Sequence, residues 1–519
     1  MNRKLVLALA LTLLVGLLSV AFNVQRAKAT GTIYIRADGS VDPPTAPITT
    51  VDNATYTFTD NINDSIVVGR DNIVIDGNGH VLQAPERLSD VGLDLSGRKN
   101  VTVKNMEIRE FRYGIMLVGS SNNSIVRNNI GALPILYTGN EYGIYLRESS
   151  GNSIVGNNVT DSLEFGIYLY KFSSHNNIVG NYIENWYKYG IGLGESSNNS
   201  ISGNYITSKY GSGIIFQYSS NNSISSNNIT ENHQFGLGSH EDYYGVGLWY
   251  GSDNNMIAGN NITRNAGSGV YVYGSSENII ARNNIADNTY GIGRMYSISN
   301  TLCNNNFVDN GQQEYDEYPQ VPSIDSWDNG YPSGGNYWSD YAGVDLNRDG
   351  IGDLNYSIDV DNVDSYPLMG MFYGFNVSWI EPGYDVVELI SNSSVSALVV
   401  GFWIEHPEDP NTRIIKFNVA GETGTVGFCR VCIPTALLNA TYTVLLNGTE
   451  IPCTLLPCSN STHSYLYFNY PHSTEEVIII PEFPSFLILS PFMIVTLLTV
   501  IVHRKRGLKN RETNSGDAT

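Results

Sequence analysis

Residues 122–130 read NNSIVRNNI, and residues 221–229 read NNSISSNNI. The apolar residue that closes this phrase recurs at Ile130, Val159, Ile183, Ile206, Ile229, Ile262, Ile285 and Phe307. Five of the seven spacings are 22 to 24 residues, and two are stretched by insertions. A short fixed period of this kind marks a stacked solenoid, because no single repeat can bury its apolar face alone. A second strand signal, Gly-Ile-x-Leu, completes each repeat: GIML from Gly114, GIYL from Gly143 and Gly166, GIGL from Gly190. Alternation within it sends Ile115 and Leu117 to one side and Met116 and Val118 to the other. The expected fold is all-β, a right-handed parallel β-helix with coils of about 23 residues. The Leu-x-x-Leu-x-Leu pattern and helical half of a leucine-rich repeat are absent.

Two columns are filled by asparagine: Asn123, Asn152, Asn176, Asn199, Asn222, Asn255, Asn278 and Asn300, then Asn128, Asn157, Asn181, Asn204, Asn227, Asn260, Asn283 and Asn305. Stacked ~4.8 Å apart, their amides can bond from coil to coil, and Asn tolerates the left-handed conformation of a sharp corner. Corner ladders are the expected role; a polar binding track is the alternative.

The ends and the composition set the location. Arg3 and Lys4 precede the apolar run Leu5 to Val20, and Ala27-Lys28-Ala29 offers a cleavage site, so 1–29 reads as a signal peptide. Residues 30–65 read as an N-terminal cap, 66–325 as the β-helix, and 326–370 as a block closing its end. Residues 371–480 lose the repeat and read as an immunoglobulin-like β-sandwich, with an Asn447-Gly448 hairpin turn. Residues 481–503 form a transmembrane anchor, and the basic residues from His503 to Arg506 place the tail 504–519 in the cytoplasm. A net charge of −21 argues against nucleic-acid partners and suits a soluble surface protein. Sequons at Asn53, Asn63, Asn376, Asn392, Asn439, Asn447 and Asn460 allow glycosylation. Those inside the coils, such as Asn122, Asn198 and Asn228, arise partly by chance from the Asn/Ser/Thr-rich repeat.

The repeats, the opening GTIYIRADGSVDPPTAPI and the phrase NIVIDGNGHVLQ resemble the NosD-like branch of right-handed β-helix proteins. That broad group comprises carbohydrate-binding proteins and sugar hydrolases. The segment WDNGYPSGGNYWSDYAGVDLNRDGIGD looks like a block that ends such helices in archaeal surface proteins, and Pro481-Glu482-Phe483-Pro484 resembles an archaeal PEF-type sorting tail. The resemblance covers roughly residues 30 to 370 and implies architecture and a glycan-related role rather than a named activity.

Asp345, Asn347, Asp349 and Asp353, with the Ile351 carbonyl and Gly350 for the turn, match the start of an EF-hand-like loop. Structural calcium is the expected ligand, although Tyr356 stands where the bidentate Glu belongs. An unmetallated acidic turn is the alternative. Cys429, Cys432, Cys453 and Cys458 suggest disulfides in an exported domain. Pairing of Cys432 with Cys453 and Cys429 with Cys458 would suit neighbouring strands, and a four-thiolate zinc site is the alternative. Eight scattered histidines without a His-x-His or Met-rich cluster do not suit copper.

The candidate binding surface is the turn before each Gly-Ile, with aromatics at Tyr113, Tyr142, Phe165, Tyr189, Tyr210, Tyr244 and Tyr290. Both insertions, 131–142 and 231–244, fall there and could wall a groove. Tyr145, Tyr168, Tyr170, Trp186, Tyr189, Trp249, Tyr271 and Tyr273 are the candidate sugar-stacking residues. Plain stabilising aromatic ladders are the competing reading. Glu141 or Glu164 opposite Glu241 or Asp242 would be the acid–base pair of a polysaccharide lyase or glycoside hydrolase. Lys188, Arg147 and Arg294 are the basic residues expected near this face. The preferred reading is non-catalytic recognition of a glycan or envelope component; a structural envelope role comes third.

Overall fold

The computed structural model describes residues 31–86, 89–131, 140–185, 188–233, 243–376, 386–402, 413–438 and 441–481. The signal-peptide and membrane-anchor segments lie outside these residues. No described helix is long and apolar enough to cross a membrane.

The chain divides into two compact units: one up to Trp327 together with Ile358–Asn362, the other Asp328–Ser357 and everything from Val363 on. The first is a parallel β-solenoid with three faces. Each Gly-Ile strand pairs in parallel with its equivalent one coil later: Tyr142–Arg147 with Phe165–Tyr170, then Tyr189–Gly194, then Ser212–Gln217. The Ser-Ile-x and Asn-Ile strands do the same on the other two faces, with Ile154 opposite Ile178 and Ile206 opposite Ile229. Alternation then fills the interior with aliphatic columns. Ile115, Ile144 and Ile167, Leu117, Leu146 and Leu169, and Ile125, Ile154 and Ile178 are all fully buried.

Both asparagine columns are buried ladders. In Asn152, the backbone N–H and Nδ2 both donate to Oδ1 of Asn176, at 2.9 and 3.0 Å, and Nδ2 also reaches the Ser120 carbonyl. The second column repeats this, as from Asn157 to Asn181 at 2.9 and 3.0 Å. Each amide thus satisfies corner backbone groups that would otherwise be buried without partners. The left-handed residue is not the ladder asparagine itself but its predecessor, as at Asn122, Arg127, Gly156 and Asn198. Placing the buried amide inward requires regular φ, so the sharp turn is taken one residue earlier. A serine ladder runs beside them: Ser149 N–H donates to Ser173 Oγ and Ser173 N–H to Ser196 Oγ.

The unit closes differently at its two ends. Antiparallel pairs, Ile33–Ile35 with Val41–Asp42 and Ile48–Thr49 with Thr55–Phe58, cover the first coil's strand edges. At the far end the buried leucine column terminates in Arg294, whose side chain is 1% exposed. It pairs with Glu314 at 2.7 Å, Asp359 at 2.8 Å and Asp325 at 3.4 Å, and lies over the Trp327 ring. Asp325 Oδ1 also takes both donors of Asn300, ending the first asparagine ladder. The expectation that Arg294 faces the aromatic surface is therefore corrected: strand alternation turns it inward.

The second unit holds two five-stranded antiparallel sheets. Leu389, Val431 and Phe468 of one sheet and Ile415, Phe417 and Ile479 of the other share a buried core. The hairpin at Asn447-Gly448 is present, both residues having positive φ. The disulfide expectation is corrected. No disulfide joins the described cysteines. Cys429 packs in the core between the sheets with Cys453, whereas Cys432, three residues along the strand, belongs to the opposite face. The nested pairs would have to cross the sheet. Burial pushes the Cys429 thiol up to about 11 and that of Cys432 up to about 12, so both stay protonated.

Candidate functional site

The outward columns of the Gly-Ile strands place glycines next to rings. Tyr145 precedes Tyr168 in one column and Gly192 follows; Tyr170 is followed by Gly194 in the other. The glycines make room for rings from the neighbouring coil. A Cβ on Gly192 would lie 2.2 Å from the Phe165 ring, and one on Gly194 would lie 2.9 Å from Tyr168 Oη. Phe165 and Tyr168 stack at 4.1 Å, Tyr168 and Tyr170 at 5.6 Å, and Tyr113 and Tyr142 at 5.0 Å.

Rings of this face border an open concavity of about 410 Å³, lined by Tyr113, Tyr142, Tyr145, Tyr168, Tyr170, Gly194, Glu195, Gln217 and Tyr218. Six phenols with one carboxylate and one amide combine apolar stacking faces with directed polar groups. Burial, with Glu141 and Glu164 nearby, pushes the Tyr142 phenol up to about 12, and burial raises Tyr168 as well. Both therefore remain neutral hydrogen-bond donors across ordinary pH.

Other expected residues sit elsewhere. Tyr189 tilts on Phe165 at 5.0 Å, outside the concavity. The register sets Ser212, not Tyr210, beside Tyr189, so Tyr210 does not belong to the ladder. Trp249 and Tyr273 meet at 6.3 Å in a second aromatic group further along the coil. Tyr271 is 5% exposed, stacks on Tyr244 at 4.4 Å and bonds to Glu317. It crosses Gly293 of the next coil, so its ring is spent on packing rather than offered to a ligand. Trp186, Glu241 and Asp242 lie outside the described residues, as does most of both insertions. Glu164 pairs with Lys188 at 2.6 Å and Glu141 with Arg112 at 3.1 Å, each a partly exposed ion pair between adjacent coils. Such partly exposed pairs stabilise little.

Sequence reading missed Tyr218, Tyr250 and Tyr296, which stand exposed at the corner after the strand with φ near 52°. Their signal was available: each lies five residues after the glycine of its Gly-Ile motif.

In the acidic loop, Asp345 accepts from the N–H groups of Asp349 and Gly350, Asp349 from Ile351, and Asp353 from Leu346. Gly350 has φ 82°, and Ile351 is buried against Leu368 and Phe372. Burial raises the Asp345 carboxyl. Among the described residues, no three His, Cys, Asp or Glu side chains converge into a group that could hold a metal ion.

A family model described as periplasmic copper-binding protein (NosD) matches residues 28–188 and 185–343. No curated protein matches the chain. Solved structures that resemble it include a variant of the periplasmic alginate epimerase AlgG (19% identity, 52% of this chain and 68% of that one, TM-score 0.36). Others are the Dettilon tailspike protein (14%, 80% and 87%, 0.32) and the DFA-IIIase of Arthrobacter chlorophenolicus A6 (13%, 54% and 72%, 0.36).

Proposed function

This chain belongs to the NosD family, and from that footing we propose that it is an exported β-helix protein that recognises a glycan through its aromatic concavity, without catalysis. The observation that carries this reading is the gathering of six tyrosines around an open concavity of about 410 Å³, beside Glu195 and Gln217. Flat rings stack on the C–H faces of sugars, while the phenols, amide and carboxylate bond their hydroxyls. The copper in the family's description remains a property of the protein so described. The presentation we infer is a cell-surface one, on a single C-terminal membrane anchor.

The test uses the exported part of the chain with a panel of acidic and neutral polysaccharides, read for retention and for new reducing ends or unsaturated uronates. Retention without products, reduced at least tenfold by Tyr168→Ala and by Gly194→Val, supports recognition. The second variant adds bulk against Tyr168 and Tyr170 at the rim of the concavity without removing a phenol. Products that vanish with Glu164→Gln or Glu241→Gln would replace this reading with a lyase or hydrolase.

For the acidic loop we infer calcium, held by Asp345, Asn347, Asp349, Asp353 and the Ile351 carbonyl after the carboxylates release the loop's own N–H groups. Millimolar calcium should raise the melting temperature of the wild type and not that of Asp345→Ala. An equal response of the two proteins, or none, would exclude calcium as the ligand of this loop.

A further inference from the structure

The corner between the Gly-Ile face and the Ser-Ile face carries a column of exposed left-handed residues. Asn100, Asn122, Asn198, Asn221 and Asn254 occupy it, with φ between 55° and 58°. Asn122, Asn198 and Asn221 each have a serine two residues on, at Ser124, Ser200 and Ser223. Each serine starts a strand, points outward and is half-buried. Among the described residues, no hydrogen bond holds the side-chain amides of these three asparagines or the hydroxyls of these three serines. The corner thus presents a bent backbone, a free amide and a free hydroxyl together.

The other sequons of the coil differ in the atoms that matter. Asn100 donates its Nδ2 to Asn72, Asn158 to Asn129 and Asn261 to Asn228, each at 2.9 Å. Thr230 and Thr263, the hydroxyl residues of the Asn228 and Asn261 sequons, are buried and bonded to each other at 3.1 Å. Their hydroxyls cannot meet a modifying enzyme without opening the coil.

We propose that Asn122, Asn198 and Asn221 form a column of N-glycosylation sites on the folded coil, and that the remaining coil sequons are spared. The donor class is a polyprenyl-phosphate-linked oligosaccharide. The Asn Nδ2 attacks the anomeric carbon, the N-glycosidic bond forms, and the bond to the lipid phosphate breaks. The phosphate leaves with its electron pair, and the amide proton passes to the transferase's base. The inference is independent of the aromatic concavity. Asn198 and Asn221 stand in adjacent coils, ~4.8 Å apart, so a glycan on one covers the other and a single molecule carries one of the two.

Glycopeptide mass spectrometry of the protein isolated from its own envelope tests this. The expected result is a glycan on Asn122, and on either Asn198 or Asn221 but not both, with Asn100, Asn158, Asn228 and Asn261 unmodified. Asn122→Gln should lower the intact mass by one glycan and leave melting within about 2 °C. Unmodified Asn122, Asn198 and Asn221, or equal occupancy at Asn228 and Asn261, would overturn the proposal.

Discussion

A single ladder asparagine shows how much of this molecule depends on amide geometry. Asn199 Oδ1 accepts from both donors of Asn176, and its Nδ2 reaches the Ser173 carbonyl at 2.9 Å and Asn222 Oδ1 at 3.1 Å. Truncation to alanine leaves the Asn176 N–H and the Ser173 carbonyl buried without partners. The expected cost is about 2–6 kcal/mol, from roughly 1–3 kcal/mol for each of the two unsatisfied buried groups. Urea titration of Asn199→Ala reads it directly; a loss below about 1 kcal/mol would mean that water replaces the amide. The column itself was legible in the sequence because the asparagines recur without exception. The left-handed residue beside it was not, since Asn, Arg, Gly and Ser all serve there once the neighbouring amide fixes the turn.

At the scale of elements, the end block contains a buried acid whose titration is a stability switch. Asp364 is fully buried and accepts from the Asn336 N–H, the Trp338 Nε1 and the Tyr366 N–H. Burial nevertheless raises its carboxyl to about 6, the hydrogen bonds opposing the rise. Because the folded value lies above the unfolded one, its contribution is fully present below the unfolded pKa of ~3.9 and is lost as pH rises through about 6. Across that window the difference between the two protonation states is worth about 3 kcal/mol. Denaturant unfolding followed by tryptophan fluorescence should show the second unit gaining stability between pH 7 and pH 5. Asp364→Asn should remove that dependence. A gain of the same size in the variant would assign it to another group. The aromatic face belongs to this scale too. The rings were readable as a pattern, but the concavity depends equally on Gly192 and Gly194, which say nothing about a cavity until the coils are stacked.

For the whole molecule, parallel register makes each coil interchangeable with its neighbours. Asn255 and Asn278 are equivalent, as are Ile257 and Ile280 and Ile262 and Ile285. Removing residues 255–277 joins Asn254 to Asn278 and leaves every column continuous. This deletion should retain the β-sheet circular dichroism and melt within about 5 °C of the parent, because stability is a sum of coil and interface terms. Deleting 20 residues from the same point should abolish folding, since every later side chain would meet the wrong column. Equal stability of the two deletions would show that the register is not the source of the fold.

Side-chain spacing alone dictates the coil. Its period, its inward columns and both buried ladders were legible along the chain, as was the Asn-Gly turn of the second unit, because spacing is a local property that stacking only multiplies. Contacts between coils and between strand faces decided the rest. They gave Arg294 its three carboxylate partners, buried Tyr271 under the next coil and left Tyr168 at the rim of a cavity. Those outcomes turn on what the adjacent coil offers at the same register, a glycine, a carboxylate or another ring, and no single repeat carries that information.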